Sequence, residues 1–147
     1  MDVPDTIERE LILPVPPQRV WEALTRADQL AAWFGTRATI DALEPGAAIV
    51  FIWDSSGGVT HTNRGVIDVV EPPRRFVFRW QVGEVQQAST RVEFVLEPHP
   101  AGTRLRLTES GFASLPPASR ATCRRGNDEG WQRELGDLRA YLSDART

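Results

Sequence analysis

The segment Gly130–Leu142, GWQRELGDLRAYL, decides the fold. At about 100° of turn per residue, Trp131, Leu135, Leu138 and Leu142 fall within one narrow stripe. A stripe of that kind is stable only when an apolar surface lies beneath it. The helix that carries it is expected to start near Ala118 and to end near Ser143.

The surface is supplied upstream by segments of period two. In RRFVFRW (Arg74–Trp80), Phe76, Phe78 and Trp80 share one face, with Val77 and Arg79 on the other, the pattern of a half-buried antiparallel strand. Thr90–Glu97 repeats it with Val92, Phe94 and Leu96 inward. A PHPAG hairpin then leads into Thr103–Glu109, where Leu105 and Leu107 point in and Arg104 and Arg106 point out. Before these, Ile49, Phe51 and Trp53 alternate until DSSGG, where Gly57 and Gly58 provide a turn, and a strand from about His61 to Glu71 is stopped by Pro72 and Pro73. These are five strands in series, an antiparallel meander. TIERELIL (Thr6–Leu13) adds a first strand, with Ile7, Arg9, Leu11 and Leu13 opposite Glu8, Glu10 and Ile12.

Two short helices separate that first strand from the meander. Pro16 and Pro17 suit a helix start, and VWEAL places Val20, Trp21 and Leu24 on one face. Thr25 reads as the next N-cap, with Asp28 three residues on in the manner of a capping box. Leu30, Trp33 and Phe34 then meet at i, i+3, i+4, and Gly35 ends the element. The expected fold class is α+β: a curved antiparallel sheet wrapped around a long C-terminal helix, with residues 1–147 forming a single domain.

Composition narrows the function classes. Lys+Arg 17 against Asp+Glu 20 gives a net charge of −3 without a basic stripe, so nucleic acid is not an expected partner. Cys123 is the single cysteine, which excludes an internal disulfide and a cysteine metal cluster; no metal or other cofactor is expected. The first thirty residues lack the apolar centre of a signal peptide, and no apolar run reaches the roughly 18–20 residues that span a bilayer. A cytoplasmic protein without a membrane span is the expectation.

The order PPQRVWEALT, LAAWFG, VVEPPRRFVFRW, a V-E-F-x-L-E strand, GTRLRLTESGF and GWQRELGDLRAYL resembles one branch of the START-like (SRPBCC) superfamily, that of the activator of the heat-shock-protein ATPase (AHSA-type). The resemblance spans nearly the whole chain. It implies a helix-grip fold with a cavity between sheet and C-terminal helix. It does not imply one activity, since members of the branch serve as co-chaperone domains or small-molecule binders, and relatives elsewhere in the superfamily cyclise polyketides or carry lipids.

The leading reading is therefore a small-molecule binding protein whose ligand is aromatic, polyketide-like or lipid-like. Its wall is expected from Phe51, Trp53, Phe76, Phe78, Trp80, Phe94 and Trp131, with Trp33 and Phe34 at the entrance. Arg120, Arg124 and Asn127 continue the stripe of Trp131 toward the helix start. Either that half projects into solvent, or Arg124 and Asn127 hydrogen-bond ligand oxygens at the pocket mouth. Gly126 and Gly130 each weaken a helix interior by roughly 1 kcal/mol relative to alanine, so they mark either a close packing contact or room left for something else.

The second reading is a cyclase- or hydratase-type enzyme. Its acid–base groups would be His61, carried inward if Ile67 and Val69 face the core, and Glu109, which follows Leu105 and Leu107; Val66 and Val70 argue for the opposite phase of the His61 strand. Neither residue is expected to be catalytic. His99 lies in a Pro-flanked turn, and Cys123 has no partner histidine. A chaperone partner is the third reading and ranks last, because the co-chaperones of that family carry a further N-terminal domain for which this chain has no residues.

Overall fold

The computed structural model describes residues 4–54, 57–58, 60–81 and 89–143. The chain begins with β1 (Thr6–Leu13), followed by α1 (Pro17–Thr25) and α2 (Ala27–Trp33). Six strands come next: β2 (Arg37–Ile40), β3 (Ala48–Asp54), β4 (Thr60–Glu71), β5 (Arg75–Gln81), β6 (Ser89–His99) and β7 (Gly102–Ser110). A 3₁₀ turn (Phe112–Ser114) leads into α3 (Pro117–Ser143). The sheet order is β1-β7-β6-β5-β4-β3-β2, and the paired strands are antiparallel throughout. The helix-grip α+β architecture is thus present, with seven strands among the described residues.

The stripe of α3 lies where its composition demands. Trp131, Leu135, Leu138 and Leu142 are buried and belong to one core cluster with Phe76, Phe78, Phe94, Leu105 and Leu107 of the sheet. β1 joins the far end of the meander, with Ile7 opposite Glu109 and Leu13 opposite Thr103. Arg9 then reaches across to α3, where its guanidinium donates to Asp128 Oδ1 at 2.8 and 3.2 Å. Arg19 of α1 lies over the Tyr141 ring at 5.3 Å, tying the first helix to the last turns of α3.

Three local expectations are corrected. Thr25 does not cap α2: it is the last residue of α1, and its hydroxyl donates to Trp21 O at 2.7 Å, so the capping-box arrangement with Asp28 does not form. The short β2 was missed because RATI alternates over only four residues, too short a run to stand out, and its place is set by pairing with β3. The conflict of phase in β4 is resolved by a register shift between Ile67 and Val69. Asn63, Gly65 and Ile67 face inward before the bulge and Val70 packs on the core after it, while Val66 is 48% exposed. Of the DSSGG turn, Asp54 ends β3 and Gly57 and Gly58 lie in the bend, whereas residues 55–56 lie outside the described residues.

Candidate functional site

The inward aromatics fill the space between sheet and helix with one another. Phe34 is the hub. Its ring centroid lies 4.9 Å from that of Phe51, 5.3 Å from Trp53, 5.4 Å from Trp131 and 6.0 Å from Trp80. It meets Trp80 and Trp131 nearly parallel and Phe51 and Trp53 edge-on, the geometries that ring quadrupoles favour. Trp33 packs beside it and donates its indole N–H to Ala23 O at 2.8 Å, which fixes α2 against α1. Between Leu24, Trp33, Phe34, Phe78, Phe94 and Trp131 the remaining void is about 10 Å³, roughly the room of one water molecule.

The Gly35 backbone holds this plug in place. Its φ of +78° suits glycine, and a Cβ there would meet Ile52 O at 3.0 Å and the Trp53 ring at 3.3 Å. The segment after α2 is therefore pressed against β3.

Below the plug, Glu109 of β7 is 0% exposed. Trp131 Nε1 donates to its Oε1 at 2.8 Å, and Trp80 Nε1 and Asn127 Nδ2 each donate to its Oε2 at 2.9 Å. The Thr90 hydroxyl donates to Oε2 as well. Indole nitrogens can only donate, so Glu109 is the acceptor on which two tryptophans are oriented. All four of these partners are neutral, and the stacked pair Trp80–Trp131, with centroids 5.7 Å apart, is fixed in place by them.

Above the plug, the same tryptophans turn toward a cleft of about 380 Å³ between the β3–β4 hairpin and α3. Phe34, Trp53, Trp80 and Trp131 form its aromatic side, and His61 and Asn63 of β4 its strand side. The helix side is Gly126, Asn127, Gly130, Arg133 and Glu134. A Cβ built on Gly126 meets nothing within 4 Å, and one on Gly130 only the tip of Arg133 at 4.0 Å. The two glycines therefore leave room beside the helix rather than admit a packing neighbour.

Glu134 is 8% exposed, and burial pushes its pKa above the ordinary 4.5; Arg133 opposes the shift and Asp137 adds to it. A raised folded value means that the folded state holds the proton more tightly than the unfolded chain. The stability linked to Glu134 is full below about pH 4.5 and falls as pH rises through the folded value. Denaturant titrations of wild type and Glu134→Gln from about pH 4 to about pH 8 should show the wild type losing ground to the variant upward from pH 4.5 and then levelling. A constant difference across that range would show that Glu134 is not desolvated in the fold.

The positions expected from sequence divide into three groups. Phe34, Trp53, Trp80, Asn127, Trp131 and His61 meet at the cleft. Phe51, Phe76, Phe78 and Phe94 lie in the core, Phe76 against Trp21 with centroids 6.0 Å apart, and Trp33 lies with the plug. Arg124 donates to Thr6 O at 2.7 and 3.2 Å, and Arg120 to Leu115 O at 3.0 and 3.3 Å. The start of α3 is therefore tied to β1 and to the loop before it instead of projecting into solvent. Arg133 and Glu134 were missed. The available signal was the i+4 ridge Gly126–Gly130–Glu134, which runs beside the ridge Asn127–Trp131–Leu135.

The family model described as Activator of Hsp90 ATPase homolog 1-like protein matches residues 14–143. Among proteins of curated function, none matches the chain. A crystal structure of a Mesorhizobium loti protein superimposes with a TM-score of 0.79 at 23% identity, covering 95% of this chain and 98% of that one. A Nitrosomonas europaea protein gives a TM-score of 0.80 at 20% identity, covering 94% of each chain. A crystal structure of a protein from the dynemicin biosynthetic locus gives a TM-score of 0.75 at 26% identity, over 97% of this chain and 48% of the other. The shared fold extends across these proteins. Among the described residues, no helix is long and apolar enough to cross a membrane.

Proposed function

The chain belongs to the Activator of Hsp90 ATPase homolog 1-like family, and from that premise we propose that it binds a small aromatic, polyketide-like or lipid-like molecule in the cleft between the β3–β4 hairpin and α3. The observation that carries the reading is a volume of about 380 Å³ bordered by three tryptophans and opened by two helix glycines, within the range of roughly 300–1,000 Å³ of small-molecule sites. The ligand site lies beside the aromatic core and not within it, because Phe34 and its neighbours occupy the interior. The likeness to a protein encoded in a biosynthetic locus supports a small-molecule ligand.

Binding is favoured over turnover. Glu109 has both oxygens engaged by donors beneath the tryptophans, and His61 is exposed on its strand. Neither is placed as the acid–base pair that a cyclase or hydratase needs.

Titration of a panel of flavonoid-like and polyketide-like aromatics should quench tryptophan fluorescence with dissociation constants in the micromolar range, about −8 kcal/mol. Trp53→Ala should weaken the best of them about tenfold, the loss expected for one ring contact. Binding no tighter than millimolar across the panel would overturn the proposal. So would chemical-shift changes confined to Arg79, Arg104 and Arg106 on the outer face of the sheet, an outcome that would favour a protein partner there.

A further inference from the structure

The cleft sets a buried carboxylate against electron-rich rings. Glu134 is 8% exposed and lines the cleft together with Trp53, Trp80 and Trp131. Arg133 Nε approaches Glu134 Oε1 only to 3.8 Å, outside hydrogen-bonding distance, and its side chain is 70% exposed. Asp137 brings a second carboxylate to the adjoining groove, which shares Trp53 and Glu134 with the cleft. Asn127 Nδ2 donates one hydrogen to Glu109, which leaves its second N–H and its Oδ1 acceptor for the cleft. The lining thus sets one carboxylate, buried beside the rings, in the cleft, with the Arg133 and His61 side chains exposed at its edge.

Aromatic faces attract cations through their quadrupole, and the attraction grows as water is excluded. A buried carboxylate whose nearest cation lies beyond hydrogen-bonding distance and mostly in solvent, as Arg133 does beside Glu134, is stabilised further by an incoming cation. We propose that the cleft selects ligands carrying a positively charged nitrogen, an amine or quaternary ammonium attached to an apolar or aromatic body. Glu134 is the counter-charge, and the Trp53 ring is the surface on which the charged group rests. This selection rests on the binding reading above and specifies the class of molecule that the same site accepts.

The test uses three probes of similar shape: benzyltrimethylammonium, its neutral carbon isostere neopentylbenzene, and the anion phenylacetate. Each is titrated against the wild type to the limit of its solubility, with the tryptophan indole N–H signals followed by NMR. The expected order is cation, then isostere, then anion, with the cation favoured about tenfold over the isostere as for a partly desolvated cation–π contact. Glu134→Gln should bring cation and isostere to within about threefold, a residual preference from the rings alone. The three-probe comparison needs no variant, so it stands even if Glu134→Gln were to unfold. Equal or weaker binding of the cation, with the isostere still shifting the cleft indoles, would overturn the charge selection and leave the binding reading intact. A cation preference unchanged in folded Glu134→Gln would overturn the role of Glu134. No indole shift with any of the three would overturn both.

Discussion

Glu109→Ala should lower the free energy of unfolding by about 3–6 kcal/mol, since it removes the acceptor of two buried indole N–H groups, a buried hydroxyl and a part-buried amide, at about 1–3 kcal/mol for each donor left stranded.

 The donors are the indole N–H groups of Trp80 and Trp131, the Thr90 hydroxyl and the amide of Asn127, all of which end on this carboxylate. Glu109→Gln should cost less, about 1–3 kcal/mol, because the amide keeps one carbonyl oxygen for a tryptophan while its NH₂ faces the other donor. Chemical denaturation of the two variants checks both figures. A Glu109→Ala protein as stable as the wild type would show that the tryptophans do not depend on this acceptor.

Phe34→Ala should cost about 3–5 kcal/mol, the usual range for deleting a buried aromatic ring. Phe34 is in contact with five other rings, and it borders both the interior void and the cleft. Its removal therefore joins the two spaces. The same variant should bind larger aromatic ligands than the wild type does, provided that it is studied well below its lowered unfolding midpoint. Denaturation gives the stability and ligand titration the change in size preference. A loss under about 1 kcal/mol would mean that the neighbouring rings close over the gap, contrary to the packing described.

Much of the fold was legible because its main signals are periodic. The α3 stripe and the alternation of β5, β6 and β7 each repeat over several residues, and burial enforces them. The features that escaped are those whose period is too short or carries two phases. RATI becomes β2 through its partner strand, and the Ile67–Val69 bulge reverses a phase that the sequence of β4 carries in both senses. The candidate site was legible only in part. Inward aromatics were visible, but periodicity cannot say which of them fill the core and which border a cleft; that depends on Phe34 entering from outside the sheet. Arg124 and Asn127 lie one turn apart on the same face, yet one meets the Thr6 carbonyl and the other Glu109, a difference set by what the sheet presents at each level. Gly126 and Gly130 had two readings in sequence, and the open space at Gly126 separates them.

That open space also provides the most direct measurement. Gly126→Leu projects a side chain into the cleft from a helical position where a Cβ meets nothing within 4 Å, and it removes a glycine that weakens the helix by roughly 1 kcal/mol. Calorimetric titration of wild type and Gly126→Leu with the best aromatic ligand, alongside their denaturation curves, separates binding from folding. If the ligand occupies the cleft, the variant is at least as stable as the wild type and its affinity falls by about 100-fold or more, the loss expected when a filled site excludes its ligand. Undiminished affinity in a folded Gly126→Leu protein would place the ligand elsewhere and contradict the assignment of this cleft as the binding site.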